Sequence, residues 1–323
     1  MKIKIWGSRG SLPSPMTPSE IKNRSLSLID NYIEAKKTSP QLEAKDFIES
    51  LTPGLHFGYG GDTTCVEVTN KDGANLFIDA GSGLRRAGNN LMSGPCGKGK
   101  GTVHIYFTHF HWDHLMGLPF FVPIFIPGNE INIYSVDENI EDNIKMLFKK
   151  PQFPVEYQDL LSTIKYHIIK PRVRTDINGI SVCPYQLDHP DPCWGLKVFG
   201  DGKVYSHCVD NEGVRVSRKE LGDDLPLYQN VDLCFFDAQY SFENYLEKID
   251  WGHSSSSIGI DIAYREGIKQ MIFTHHDPAA CMEDIYQSYE DTKNYNTMMK
   301  KMNNASDEIN FIYAYDGLEV DLG

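Results

Sequence analysis

The chain has 323 residues, 41% of them hydrophobic and 23% charged, a balance that excludes disordered, collagen-like and coiled-coil classes. Lys and Arg number 31 against 44 Asp and Glu, a net charge of -13, so a long phosphate backbone is repelled unless a basic patch or a metal ion supplies positive charge locally. The 7 cysteines are scattered and never form a C-x-x-C pair, which argues against a disulfide framework or a zinc knuckle and for a reducing compartment.

Ile3 to Trp6 reads as a first strand with no apolar stretch behind it, so no signal peptide is expected. Thr17-Pro18-Ser19-Glu20 is a capping box with proline at the first helical position, and it starts a helix whose apolar stripe is Ile21, Leu28, Ile29, Tyr32 and Ile33. A second helix is expected from Ser39-Pro40, carrying Leu42, Phe47, Ile48 and Leu51, with Pro53-Gly54 stopping it. Residues 17–54 thus form a helical insert near the N-terminus, a lid or an interaction surface. Thr64 to Thr69 and Asn75 to Ile78 make a hairpin around Asn70-Lys71-Asp72-Gly73.

Further strands are expected at Thr102 to Phe107, Glu130 to Val136, Ile180 to Leu187, Gly202 to Val209, Asp232 to Phe236, Gln270 to Thr274 and Asn310 to Ala314. Helices are expected at Glu138 to Lys149, Ser255 to Glu266 and Asp284 to Met302. The longest apolar run, Leu118 to Pro127, is broken by Pro119 and Pro123 and is too short to span a bilayer. No membrane partner is expected, and the location is read as cytoplasmic.

The sharpest feature is Thr108-His109-Phe110-His111-Trp112-Asp113-His114. At this chain's His and Asp frequencies such a cluster is expected on the order of 10⁻³ times per chain. His109 and His111 stand two apart at the end of an extended run, so both imidazoles face one way, while Asp113 and His114 sit in the turn beyond and can serve a second ion. Imidazole and carboxylate without thiolate suit zinc, manganese or iron.

His109-x-His111-x-Asp113-His114 after a β-run resembles the signature of the metallo-β-lactamase superfamily of binuclear metallohydrolases. Phe77-Ile78-Asp79-Ala80-Gly81 upstream and His189, Asp210 and His275 downstream agree in order. Ile5-Trp6-Gly7-Ser8-Arg9-Gly10-Ser11, Tyr59-Gly60-Gly61-Asp62-Thr63-Thr64-Cys65, and Asp237-Ala238-Gln239-Tyr240 followed by Gly252-His253-Ser254 are similar to the phosphodiesterase-type branch, which holds ribonuclease Z-like enzymes and cyclic-nucleotide phosphodiesterases. The resemblance implies a four-layer αββα sandwich over a single domain, residues 1–323. Independently, Asp79, His109, His189, Asp210, Asp237 and His275 each close an expected strand, and residues so far apart can meet only along one edge of a single domain.

Carried over by position, the resemblance implies two divalent ions, with zinc preferred over manganese or iron. One would be held by His109, His111 and His189, the other by Asp113, His114 and His275, with Asp210 shared. Asp79 would be the supporting carboxylate of a ligating imidazole. His207 is a rival ligand to Asp210, because His207-Cys208-Val209-Asp210-Asn211-Glu212 departs from the branch's usual strand-Thr-Asp-Thr pattern. His275 and His276 point to opposite faces of a strand, and His275 is the expected ligand. His56, His104 and His167 show no partner pattern. The resemblance further implies a catalytic set of Asp113, Asp237 and His253, with His253, working with Asp237, stabilising phosphoryl charge or protonating the departing oxygen.

The implied activity is hydrolysis of a phosphodiester, a small or cyclic nucleotide, by a hydroxide bridging the ions. The alternatives are a thioester or lactone hydrolase, a tRNA 3'-processing endonuclease, and a non-hydrolytic di-iron or cofactor-biosynthesis relative. A tRNA substrate is disfavoured because the insert is mixed in charge rather than basic or Gly/Pro-rich. Relatives of this kind often pair, so a homodimer is an expectation without a marked surface.

Overall fold

The computed structural model describes residues 1–323, the side chain of Leu55 excepted. β1 (Lys2–Gly7) leads into three helices, α1 (Pro18–Thr38), α2 (Ala44–Glu49) and α3 (Pro53–Phe57). The hairpin of β2 (Cys65–Thr69) and β3 (Asn75–Ile78) follows, then α4 (Gly83–Leu91), β4 (Thr102–Tyr106), the one-turn α5 (Trp112–Leu115), β5 (Glu130–Ser135), α6 (Ile140–Leu147) and β6 (Thr163–Ile168). The second half contains β7 (Thr175–Ile177), β8 (Ile180–Gln186), β9 (Trp194–Gly200), β10 (Lys203–Cys208), α7 (Arg218–Leu221), β11 (Leu233–Asp237), α8 (Phe242–Glu247) and α9 (Ser256–Glu266). It ends with β12 (Gln270–Thr274), α10 (Met282–Met302), β13 (Asn310–Tyr313) and β14 (Glu319–Asp321).

The strands form two seven-stranded sheets, in the orders β14-β1-β2-β3-β4-β5-β6 and β13-β12-β11-β10-β9-β8-β7. Strand alternation explains the layering. On β11, Leu233 and Phe235 point between the sheets, while Cys234 and Phe236 point outward under α9 and α10. On β4, Tyr106 points inward, while Val103 and Ile105 point outward under α4 and α6. Both faces of each sheet are therefore buried, and the central strands read as continuous apolar runs. The architecture is the expected αββα sandwich. The order β3-β4-β5-β6 is parallel, as is β10-β11-β12-β13, so both sheets bring C-terminal strand ends to one edge.

The N-terminal insert differs from expectation in its second half. α1 starts at the capping box as read, with Glu20 Oε2 accepting from Thr17 N at 2.7 Å. The next helix does not begin at Pro40, because the Leu42 N–H turns back to Ser39 O and the Leu42 carbonyl takes the Tyr32 hydroxyl at 3.0 Å. Pro53 does not stop a helix either; it opens α3, at a position where its missing N–H costs nothing. β6, β7, β9 and β14 add to the expected strands. No helix among the described residues is long and apolar enough to cross a membrane.

Candidate metal centre

Six strand ends supply the site. Asp79 follows β3, His109 follows β4, His189 follows β8, Asp210 follows β10, Asp237 closes β11 and His275 follows β12. Asp79, Asp210 and His275 adopt left-handed backbone, with φ of 61°, 58° and 64°. Non-glycine residues pay for that conformation, and it turns each side chain off the sheet toward the shared edge.

The structure brings the predicted residues into two overlapping groups, each with its candidate ligand atoms within 4.8 Å of one another. His109, His111, His189 and Asp210 form the first, and Asp113, His114, Asp210 and His275 the second, so Asp210 belongs to both. His189 Nε2 lies 3.1 Å from His111 Nδ1, and His109 Nε2 lies 3.0 Å from Asp210 Oδ2. In the second group His275 Nε2 is 3.0 Å from Asp113 Oδ2 and 3.1 Å from Asp210 Oδ1. A third overlapping set, Asp210, Asp237, His253 and His275, adds the last two predicted residues, with His253 Nδ1 3.0 Å from Asp237 Oδ2.

Each imidazole has a partner that fixes its orientation, as ligating histidines usually do. Asp79 Oδ2 lies 2.9 Å from His114 Nδ1. Gln239 Oε1 meets His275 Nδ1 at 2.8 Å, the Gly252 carbonyl meets His189 Nδ1 at 3.2 Å, and Asp191 Oδ2 meets His111 Nε2 at 2.8 Å. The N-terminal loop serves the same centre: Ser11 N donates to Asp113 Oδ2 at 2.8 Å, and Thr63 Oγ1 donates to the Asp113 carbonyl at 2.7 Å.

His207 is not in either group. It is fully buried behind Asp79, with Nδ1 3.0 Å from the Tyr205 hydroxyl and Nε2 3.8 Å from Asp79 Oδ2, and Asp210 rather than His207 is the residue common to both groups. His276 points away from the centre to the Ala314 carbonyl at 2.8 Å, as alternation requires. Sequence reading missed Thr108, whose backbone N donates to Asp79 Oδ1 at 2.9 Å; its place beside His109 was the available signal. It also missed Asp191 and Glu212, which stand in the irregular stretches after His189 and Asp210.

The electrostatics explain why imidazoles alone do not complete the site. Asp79, Asp113, Asp210 and Asp237 are all buried, and among the described residues no Lys or Arg forms an ion pair with them. Burial works to raise the Asp79, Asp113 and Asp210 carboxyls, but the facing imidazoles hold all three well below the usual range. Burial drives His109 down to about 4, whereas His114 is driven up, because Asp210, Asp79 and Asp113 outweigh its own burial. His253, half-buried, is pushed up to about 10 by Asp237 and Asp210, which outweigh its burial.

The residues fit divalent metal. His109 Nε2, His114 Nε2 and Asp210 Oδ1 are buried without a hydrogen-bond partner, although the two imidazole nitrogens approach Asp210 Oδ2 to 3.0 and 2.5 Å. Close approach without hydrogen-bond alignment is the arrangement of atoms whose lone pairs converge on a cation. Two dications would balance the four carboxylates with every imidazole neutral, the state in which it ligates.

Residues 74–276 match the family model described as the beta-lactamase superfamily domain. The chain is 22% identical over 222 residues to ribonuclease Z of Crocosphaera subtropica, covering 54% of this chain and 69% of that protein. It is 20% identical over 297 residues to ribonuclease Z of Archaeoglobus fulgidus, covering 76% of this chain and 90% of that protein. Among solved structures, unliganded yeast PDE1 superposes with a TM-score of 0.62 at 14% identity, covering 99% of each chain.

Proposed function

The chain belongs to the beta-lactamase superfamily, and from that premise we propose that it is a metal-dependent phosphodiesterase acting on small or cyclic nucleotides. The observation that carries the reading is the pair of ligand groups sharing Asp210, with the His253–Asp237 pair beside them. His109, His111 and His189 would hold one divalent ion and Asp113, His114 and His275 the other, with zinc the metal best matched to this donor set. When bound, such ions supply an activated water and neutralise charge on the phosphoryl oxygens.

The chain's own residues do the rest. Asp79 holds His114 in one tautomer and orientation through the 2.9 Å contact. Asp237 holds His253 by Nδ1, which leaves the other ring nitrogen to protonate the departing oxygen of the substrate. Ser11 N and Thr63 Oγ1 fix Asp113 from the N-terminal side.

Three features favour a small nucleotide. The surface is acidic overall, and α1 is mixed in charge, which disfavours a long polyanion. Beside the ligand motif, a cleft of about 680 Å³ is lined by Phe110, Trp112, Phe120 and Phe153 with Lys149 and Lys150, a surface that suits a stacked base and a phosphate. The chain is read as one domain over 1–323, with residues 17–54 a lid or interaction surface. Metal quantification combined with a screen of cyclic and linear nucleotides tests the proposal, and purified protein that carries two zinc ions yet cleaves none of them would overturn it.

A second reading, processing of an RNA phosphodiester, is favoured by the ribonuclease Z relatives. It predicts cleavage of a tRNA precursor and binding that weakens steeply with salt.

A further inference from the structure

We infer that Glu212 is a positioning residue that sets His253 through the backbone of one turn. The inference rests on the role proposed above for His253. Glu212 lies two residues beyond Asp210 and is 4% exposed, yet among the described residues no Lys, Arg or His nitrogen lies within ion-pairing distance of it. Its carboxylate is spent on backbone donors instead. Oε1 accepts from Asp250 N at 2.8 Å and Oε2 accepts from Gly252 N at 3.3 Å.

Those two donors belong to a turn in which Asp250 and Gly252 both hold left-handed backbone, with φ of 69° and 82°. Such a turn persists only where its surroundings over-determine it. The turn delivers two groups to the centre. The Gly252 carbonyl faces His189 Nδ1 at 3.2 Å, and the next residue, His253, reaches Asp237 at 3.0 Å. Glu212 is itself anchored, because its N–H donates to the Asp188 carbonyl at 2.7 Å and Asn211 Oδ1 accepts from Asp188 N at 3.1 Å. Glu212, through its backbone and its carboxylate, therefore ties together the loops after β8, β10 and α8. A charge buried without an ionic partner is retained where its hydrogen bonds fix a geometry.

The test uses the zinc-loaded protein and compares Glu212→Ala, Glu212→Gln and His253→Ala on two substrates. Cyclic nucleotides expel an alkoxide that needs a proton, whereas bis-p-nitrophenyl phosphate expels a phenolate that does not. Glu212→Ala is expected to lower kcat on the nucleotide by about 10²-fold and on the nitrophenyl ester by less than ~3-fold, with zinc content unchanged. Glu212→Gln, which keeps one acceptor oxygen, is expected to recover most of the loss. Glu212→Ala combined with His253→Ala should be no slower than His253→Ala alone.

Imidazole ¹⁵N resonances of the zinc-loaded protein provide a readout apart from turnover: the His253 Nδ1–H signal should shift in Glu212→Ala and return in Glu212→Gln. Equal losses on both substrates, or an unmoved His253 resonance, overturn the inference. If the wild-type protein cleaves neither substrate, the functional reading fails, while the His253 resonance still decides the role of Glu212.

Discussion

Gly10 offers a one-carbon test of how tightly the centre is built. A Cβ at this position would sit 2.6 Å from His275 Nδ1, 2.8 Å from His275 Cε1 and 2.5 Å from Gln239 Oε1. Ordinary contact begins near 3.4 Å, so the His275 ring must retreat by roughly 0.8 Å. The Gln239 side chain cannot simply follow, since the Gln239 backbone N–H donates to Asp237 Oδ1 at 3.1 Å and its side-chain Nε2 donates to the Tyr240 hydroxyl at 3.2 Å. A ligand displaced by that much leaves the tolerance of a metal site, which is about 0.2 Å in bond length. Gly10→Ala is therefore expected to weaken metal retention by about 10–100-fold and to lower kcat by about 10²-fold. Overpacking should cost only ~1–3 kcal/mol of stability, so the variant remains folded. Competition with a zinc chelator, followed by turnover at saturating zinc, separates the two effects. Wild-type chelator resistance together with wild-type kcat would refute the claim that His275 is held against Gly10 as a ligand.

The other predictions concern charge. Asp113→Ala and His111→Ala should each retain the fold and lose at least ~10²-fold in turnover together with zinc content, measured by metal analysis beside circular dichroism; full activity in both would remove the metal centre from the chemistry. Zinc should stabilise the fold by up to ~4 kcal/mol at a thousandfold excess over Kd, seen as an unfolding temperature that rises with zinc concentration, and chelation should reverse it. Asp316 is pushed up to about 6 by burial, although it accepts from Ser8 N, Gly61 N and Asp62 N at 3.0–3.1 Å. A carboxyl raised in the folded state stabilises fully below its unfolded pKa near 3.8 and loses that contribution as pH climbs through about 6. Relative to Asp316→Asn, the wild-type protein should therefore lose up to ~3 kcal/mol between pH 4 and pH 7 in denaturant titrations with chelator present, and a flat difference would contradict it.

The candidate ligand cluster was legible because its residues are contiguous: alternation puts His109 and His111 on one side, and α5 turns Asp113 and His114 inward. Their distant partners were legible because each closes a strand, a position where the chain must leave the sheet. What stayed hidden was set by tertiary contact. α4, with the sequence Gly83-Leu-Arg-Arg-Ala-Gly-Asn-Asn-Leu91, has two poor helix formers in nine residues. Its glycines are there for close approach, since a Cβ at Gly83 would meet Trp6 at 2.6 Å and one at Gly88 would meet Phe121 at 2.6 Å. β9 was disguised by Lys197, which is 5% exposed and donates to the Pro226 and Gln229 carbonyls. The partners that aim the imidazoles, among them Asp191 and Gln239, lie in irregular loops whose course follows only from the assembled sandwich.

An acidic chain and a centre proposed to hold cations are consistent once the location of the charge is considered. Most of the net charge of -13 lies on the surface, where water and salt screen it beyond a distance of about 10 Å. The four buried aspartates of the centre are not screened in this way, and they face imidazoles rather than ammonium or guanidinium groups. Protonating the imidazoles can balance them, but it removes the lone pairs that His109, His111 and His189 converge on one point. Divalent ions balance the same carboxylates and use those lone pairs. The left-handed backbone at Asp79, Asp210 and His275 is thus a cost incurred after three separate strands for a common end, the gathering of candidate ligands and their supporting carboxylate at one edge of the sandwich.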